Sequence, residues 1–269
     1  MNFWEALILG IIQGLTEYLP VSSSGHLELG KIMLAIQTMD KDSPFGTTFN
    51  VVLHLATVFS TWIIFRKEIA EIFRGLFQFK LNEQFYFSVK VVLSMIPAAI
   101  IGILFDEQIE AAFSGKPIWI GAMLLATALL LFLADRAKVT DKKVGFKEAL
   151  IIGIAQAVAL LPGISRSGAT ISTSVLLHID KERAARFSFL MVMPLILGKV
   201  AKDLLDGEFA LSAADATPML VGFIAAFVVG LFACQLMLSI VKKGKLVYFS
   251  IYCTIAGLIA IGYGLLAHA

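Results

Sequence analysis

Long apolar stretches alternate with short polar ones along this chain. Windows of about 19 residues, the length used to find transmembrane helices, select six apolar stretches. The six predicted spans lie near 45–65, 86–105, 117–135, 187–205, 217–241 and 247–267. Two further segments, 3–36 and 146–178, each contain an apolar helix of about sixteen residues that ends in a loop rich in Pro, Ser and Gly. Because such a helix is too short for a hydrocarbon core about 30 Å thick, each segment is predicted to enter the membrane and turn back.

The two short segments repeat each other. The stretch ALILGIIQGLTEYLPVSSSGH from Ala6 returns 143 residues later as ALIIGIAQAVALLPGISRSGA from Ala149. The alignment needs no gap and includes the Gln of the helix and the Ser and Gly positions of the loop. We therefore interpret the chain as an internal duplication within one membrane domain over 1–269, with repeat one over 1–140 and repeat two over 141–269.

Composition makes the lipid bilayer the expected solvent of this chain. Hydrophobic residues account for 58% of the sequence and charged residues for 16%, and the mean hydropathy is +0.86. A soluble domain of 269 residues would have far too little polar surface at this composition. The net charge is only +2, which gives no support for binding to nucleic acid. The fold class predicted from these features is an all-α integral membrane protein.

Charge alternates between successive loops. Basic residues fall in four loops, which the positive-inside rule places in the cytoplasm, at 66–85, 136–147, 181–186 and 242–245. Mostly acidic loops, predicted to lie outside, separate them at 106–116 and 206–216. With this alternation, segment 3–36 begins and ends on the outer side of the membrane, and segment 146–178 begins and ends on the cytoplasmic side. The halves, each a re-entrant helix-loop-helix hairpin followed by three spans, then form an inverted-topology repeat, which transporters use to build a central site.

The two hairpin loops differ in chemistry. Repeat one supplies Glu17, four residues after Gln13 on the same helix face, and His26, whereas repeat two supplies Arg166. Ionisable groups this deep in a bilayer are costly, so they are functional candidates. An arginine fork with serine hydroxyls and amides at a helix N-terminus suits phosphate oxygens. Within such a phosphate site, Glu17 would hold a divalent cation or act as a base, and His26 would be nucleophile or general acid/base.

Smaller polar groups complete the predicted substrate site. The residues in this set are Gln13, Ser22, Ser24, Gly25, Ser165, Ser167, Gly168 and Thr170. Serine and glycine are also ordinary packing residues between membrane helices, so each serine has a structural role as its alternative. For Glu17 the alternative is a helix cap or an ion pair with a neighbouring helix. The other histidines are interpreted as structural residues, namely His54, His178 and His268.

At these residues the chain resembles the bacterial undecaprenyl pyrophosphate phosphatase family, also called the bacitracin-resistance protein family. The family's Glu/Gln-x-x-x-Glu motif is similar to 13–17, its Pro-Val-Ser-Ser-x-Gly-His motif to 20–26, and its Pro-Gly-x-Ser-Arg-Ser-x-x-Thr motif to 162–170. Gln13 takes the amide option at the first motif position, which leaves one carboxylate in that motif. The resemblance implies roles in activity for Glu17, Ser23, His26 and Arg166.

The resemblance also implies an activity. It predicts hydrolysis of undecaprenyl pyrophosphate to the monophosphate carrier used in cell-wall synthesis, assisted by Mg2+ or Ca2+, with Glu17 as the candidate metal ligand. The enzyme would be a multi-pass protein of the bacterial cytoplasmic membrane, with its site open to the outer face. Its partners would be the polyprenyl pyrophosphate lipid and the bilayer, and a homodimer is an open option.

Two function classes and three nucleophiles remain open at this stage. A secondary transporter or lipid flippase on the same inverted repeat is the alternative to the phosphatase. We favour the phosphatase because a transporter needs no nucleophile beside a phosphate-binding Arg. Attack can come from His26, from Ser23 activated by His26 or Glu17, or from water. A slight preference goes to His26, since imidazole is a good nucleophile near neutral pH without a partner.

Overall fold

The structure, a computed structural model, describes residues 1–36, 44–105, 108–109, 116–138, 140–205 and 215–267. Within these ranges the chain forms helices and no β-strand, so the predicted all-α class is confirmed. The helices of the first half are α1 Phe3–Tyr18, α2 Ser23–Met33, α3 Pro44–Ile64, α4 Arg66–Leu76, α5 Glu83–Leu104 and α6 Pro117–Asp135. Those of the second half are α7 Phe146–Val158, α8 Arg166–Leu176, α9 Lys181–Leu205, α10 Ala216–Lys242 and α11 Val247–Ala267.

Six helices, namely α3, α5, α6, α9, α10 and α11, are long and apolar enough to cross a membrane, as predicted. The start of α9 differs from the prediction, because the helix begins at Lys181 rather than near 187. The Asp180 carboxylate accepts a hydrogen bond from the Arg183 amide at 2.9 Å, which caps the helix ahead of its apolar part. The predicted acidic loops, 106–116 and 206–216, lie largely outside the described residues.

Two pairs of short helices, α1 with α2 and α7 with α8, account for the duplicated segments. The α1 helix has 16 residues and α7 has 13, and each is followed by a helix of 11 residues. A capping box starts α1, in which the side chain of Asn2 accepts from the Glu5 amide and the Glu5 carboxylate accepts from the Asn2 amide. Leu19 is extended because it precedes Pro20, and this ends α1.

Each first short helix packs closely against a span from the other half of the chain. The α1 helix lies along α10, where a Cβ added to Gly10 would be 2.6 Å from the carbonyl oxygen of Gly222. The α7 helix lies along α5, where a Cβ added to Gly153 would be 2.4 Å from the carbonyl oxygen of Ser94. Gly10 and Gly153 are equivalent positions of the duplication, so the repeated glycines perform the same packing task twice.

The polar helix α8 is enclosed by protein. Most of its residues are buried, including Ser172 and Ser174, and it contacts α6, α7 and α9. The largest apolar cluster surrounds it, with Leu124 of α6 and Phe187 of α9 both almost fully buried. Large apolar side chains elsewhere on the spans are exposed, as expected where lipid is the solvent. Polar backbone and hydroxyl groups are thus kept away from lipid.

The contact between α1 and α10 generates a stability prediction. Gly10→Ala should lower the unfolding temperature of the detergent-purified protein, because the new methyl group meets backbone atoms of Gly222 that cannot rotate away. Overpacking of this kind costs about 1–3 kcal/mol. The matched control is Gly262→Ala on α11, where an added Cβ has nothing within 4 Å. Equal unfolding temperatures for the two variants would contradict the close packing.

Candidate active site

The loop between α1 and α2 meets the loop between α7 and α8. The Ser167 hydroxyl donates to the Leu19 carbonyl oxygen at 3.2 Å. A Cβ added to Gly25 would lie 3.3 Å from the Cα atom of Gly163, so the two glycines let the backbones approach. Charged groups predicted from different copies of the duplication are therefore placed in one site.

Equivalent serines cap the second helix of each pair. The Ser22 hydroxyl accepts from the Gly25 amide at 3.2 Å, and the Ser165 hydroxyl accepts from the Gly168 amide at 3.0 Å. Each capping hydroxyl also lies next to the serine two residues later, at 3.4 Å in the first copy and 3.3 Å in the second. The caps direct two helix N-termini, at Ser23 and Arg166, toward the place where the loops meet. A helix N-terminus favours a bound anion.

The two copies differ in backbone conformation at the cap. Ser22 has φ of 71°, in the left-handed region that a residue with a Cβ seldom occupies, whereas its counterpart Ser165 has φ of −74°. The turned carbonyl of Ser22 accepts from both the amide and the ring Nδ1 of His26, at 3.1 and 2.8 Å. Backbone strain of this kind is typical of functional sites, and here it serves to hold His26.

Glu17 is at the centre of the site. Its carboxylate is buried, and one oxygen, Oε1, forms an ion pair with Arg166. The other oxygen, Oε2, accepts from the Ser23 hydroxyl at 2.7 Å and from the Gln13 side-chain amide at 3.1 Å. The Ser23 proton therefore points at a carboxylate, which is the arrangement that activates a serine for nucleophilic attack.

His26 lies apart from this carboxylate. Its Nδ1 is 2.8 Å from the Ser22 carbonyl oxygen, and its Nε2 is 2.8 Å from the hydroxyl of Tyr252 on α11. The two rings stack, with centroids 5.6 Å apart and an interplanar angle of 17°. Both ring nitrogens of His26 are thus engaged, whereas the Ser23 hydroxyl already has a base in place.

Two of the predicted substrate residues make contacts that belong to the scaffold. Thr170 is fully buried, donates to the carbonyl oxygen of Arg166 at 2.8 Å and lies 2.6 Å from the Ser188 hydroxyl. Ser167 is occupied with Leu19, as described above. These contacts fasten α8 to α9 and to the facing loop, and so hold the backbone that carries Arg166.

The structure adds two residues that sequence reasoning left out. The Nε2 atom of His54, on α3, lies 3.9 Å from Oε2 of Glu17, although the sequence analysis interpreted His54 as structural. An ionisable residue inside a predicted span is a signal that could have selected it. Tyr252 carried no comparable signal, since a tyrosine in an apolar span is ordinary. Only the packing of α11 brings Tyr252 to His26.

A small cavity opens beside the Glu17 carboxylate, between α3 and α9. Hydroxyl-bearing residues lie on its α1 and α3 side, and apolar residues form its α9 side. The lining consists of Glu17, Tyr18, Thr57, Val58, Thr61, Phe189, Val192 and Ile196. The volume of this cavity is about 10 Å³, which is room for no more than one water-sized group beside the carboxylate.

These features define the class of protein as a multi-pass helical membrane protein in which a buried Glu contacts a partly buried Arg and Ser where the duplicated loops meet. A family model described as Bacitracin resistance protein BacA matches residues 6–259, which is nearly the whole chain. The chain belongs to the bacitracin resistance protein BacA family.

Curated relatives match along their full length. A protein of Christiangramia forsetii named undecaprenyl-diphosphatase is 59% identical over 261 residues, which cover 97% of this chain and 98% of the relative. A protein of the same name from Bacteroides fragilis is 49% identical over 265 residues, again covering 97% and 98%. Another from Methanosphaera stadtmanae is 35% identical over 279 aligned positions, with the same coverage. The similarity therefore includes both halves of the duplication.

Proposed function

We propose that this chain is a phosphatase of the bacterial cytoplasmic membrane that hydrolyses undecaprenyl pyrophosphate to undecaprenyl phosphate and inorganic phosphate. The reaction returns the lipid carrier to cell-wall synthesis. The names of the full-length relatives support the substrate. The observation that carries the proposal is the contact of Glu17 with both Arg166 and Ser23, because it joins a base, a nucleophile and a phosphate-binding cation in one partly buried site.

The first chemical step is attack by Ser23. Its oxygen forms a bond to the terminal phosphorus of the pyrophosphate while its proton moves to Oε2 of Glu17, 2.7 Å away. The bond between that phosphorus and the bridging oxygen breaks, and undecaprenyl phosphate leaves with the bridging oxygen. Water then attacks the phosphoserine, which releases inorganic phosphate and restores the serine. In-line attack of this kind depends mainly on positioning and charge stabilisation.

Arg166 supplies the positive charge around the transferred phosphoryl group. Its guanidinium carries five N–H donors, more than the ion pair with Glu17 can use, and its fork matches two phosphate oxygens. It also stands at the N-terminus of α8, where free backbone amides and the helix dipole attract an anion. Repeat two therefore supplies the positive charge of the site through Arg166. Repeat one supplies the proton acceptor, Glu17.

His26 has a separate task in this mechanism. Direct attack by Nε2 would require His26 to leave Tyr252, whereas the Ser23 hydroxyl already donates to the carboxylate that would take its proton. This geometry supports Ser23 over His26 as nucleophile, against the slight preference stated from the sequence. With Nδ1 still held by Ser22, Nε2 exchanges Tyr252 for a reacting oxygen, and His26 then acts as general acid/base on the leaving group or on the attacking water.

A divalent cation, Mg2+ or Ca2+, fits the oxygen atoms of this site. The side-chain oxygen Oε1 of Gln13 is fully buried and has no hydrogen-bond partner among the described residues. Gln13 and Glu17 are adjacent and would hold the cation together with pyrophosphate oxygens, since Mg2+ commonly uses one or two carboxylates plus substrate phosphates. When bound, the cation would neutralise charge on the phosphates.

We further propose that the two short helix pairs are re-entrant hairpins of an inverted-topology repeat, with the site open to the outer face. Equivalent caps at Ser22 and Ser165 support the repeat. So does the reciprocal packing of α1 on α10 and α7 on α5. Polar loops at membrane depth require protein around them, and the burial of α8 meets that requirement.

Phosphate release in detergent tests the activity. Detergent-purified protein should release phosphate from undecaprenyl pyrophosphate, and Arg166→Lys should lower the rate by about 10²–10³-fold because it loses the fork but keeps the charge. The control is Arg74→Lys at an exposed position of α4, with normal turnover expected. Near-normal turnover by Arg166→Lys would remove Arg166 from the site. Lipid movement in vesicles without any phosphate release would favour the transporter alternative.

Rapid quench tests the nucleophile. Labelled substrate should leave an acid-stable phosphoenzyme that is absent in Ser23→Ala and greatly reduced in Glu17→Gln, because the serine loses its base. An acid-labile, base-stable adduct that disappears in His26→Ala would instead assign attack to His26. No adduct under either condition would assign attack to water, with His26 or Glu17 as its base.

Cysteine labelling tests the topology. Single cysteines placed at exposed Lys80 and Lys143 should react with an impermeant reagent only from the cytoplasmic side. Cysteines placed within 106–116 and 206–216 should react only from outside. The native Cys234 and Cys253 are buried and give a low background. Labelling at Lys143 from outside would contradict the inverted repeat.

A further inference from the structure

A tyrosine from the last span reaches the histidine of the first hairpin. The Tyr252 hydroxyl is 2.8 Å from Nε2 of His26, across 226 residues of sequence. The His26 and Tyr252 rings stack with an interplanar angle of 17°. The ring contact and the hydrogen bond together therefore hold the hydroxyl next to Nε2. The contact joins repeat two to repeat one at a residue that the proposed reaction uses.

The hydrogen positions in this contact follow from its partners. The Ser22 carbonyl oxygen can only accept, so the 2.8 Å contact requires the hydrogen of a neutral His26 on Nδ1. Nε2 then carries the lone pair, and Tyr252 donates its hydroxyl hydrogen to Nε2. A hydroxyl both donates and accepts, so the same pair of atoms stays bonded after Nε2 takes up a proton. The ring orientation is thus maintained in both protonation states.

The backbone around Tyr252 is fastened to α6 on one side and to the hairpin loop on the other. The Ser250 hydroxyl donates to the Ala128 carbonyl oxygen of α6 at 2.7 Å. The Cys253 thiol lies 3.6 Å from the carbonyl oxygen of Pro20, in the loop that precedes α2. These contacts fix both the rotation and the height of α11 beside the loop, so Tyr252 meets His26 on a rigid element rather than by chance rotation of an exposed side chain.

We infer that Tyr252 is a positioning residue for His26, which holds the ring in the orientation that proton transfer needs. The inference rests on the proposed function, since it assigns a partner to a residue of that site. Tyr252 itself stays outside the reacting atoms. Removal of its hydroxyl should therefore affect proton transfer through His26 and leave substrate binding by Arg166 intact.

Tyr252→Phe tests this inference, because it keeps the stacked ring and removes only the hydroxyl. With 15N-labelled histidine there are four side chains to resolve, and His26→Ala assigns the signal. The wild type should show His26 with a protonated Nδ1 and a hydrogen-bonded Nε2, and Tyr252→Phe should shift the Nε2 signal. For phosphate release we expect kcat to fall about tenfold, the scale of one lost hydrogen bond, with KM unchanged.

Tyr263→Phe is the matched control, since Tyr263 lies on the same helix and is similarly exposed, 49% against 46% for Tyr252. It should leave both the His26 signals and kcat unchanged. A wild-type spectrum in which Nε2 of His26 has no hydrogen bond would overturn the inference even if Tyr252→Phe failed to fold. So would an unshifted Nε2 signal with kcat within twofold of wild type in a well-folded Tyr252→Phe protein.

This experiment distinguishes failure of the proposed phosphatase activity from failure of the positioning role of Tyr252. A wild type without phosphate release would defeat the proposed phosphatase, while the 15N signals would still report whether Tyr252 holds His26. An active wild type with an unaffected Tyr252→Phe variant would defeat only the positioning role.

Discussion

The ion pair between Glu17 and Arg166 is the interaction on which the rest of the site depends. The Glu17 side chain is buried and the Arg166 side chain is partly buried within a membrane protein, where an unpaired charge would be costly. Pairing lowers that cost, but only if the loops at the end of α1 and the start of α8, next to the two residues, touch. The close approach of Gly25 to Gly163 and the bond from Ser167 to Leu19 provide this contact. The loop geometry and the charges therefore require each other.

The two copies of the duplicated segment share their packing and capping residues but differ in their charged residues. Ser22 and Ser165 cap their helices in the same way, and Gly10 and Gly153 give the same close packing. The charged residues differ, since Arg166 stands in one copy and Glu17 in the other. Two equal copies would bring like charges together, which a buried site cannot accommodate. Divergence of the charged positions places a cation in one copy and a carboxylate in the other, and the two meet as an ion pair.

Several features of the fold and the site could be predicted from sequence because they depend on local pattern. Five of the six span positions follow hydropathy closely, and only the start of α9 moved, because Asp180 caps the helix early. The candidate charges could also be selected, since an ionisable residue in an apolar repeat is rare. Which of Glu17 and His26 lies beside the Ser23 hydroxyl could not be predicted, because both are close to Ser23 in sequence and only the fold of the loop places the Glu17 carboxylate next to it.

The sequence by itself determined the membrane class, the duplication and the set of polar residues, because each is a property of residue order and hydropathy. Tertiary structure decided which side chains contact the site residues. Packing of α3 brings His54 to Glu17, and packing of α11 brings Tyr252 to His26. Neither residue stands in a repeated motif, and both come from ordinary-looking spans. The physical reason is that hydropathy places a helix in the membrane, whereas its rotation and neighbours depend on side-chain packing with helices distant in sequence.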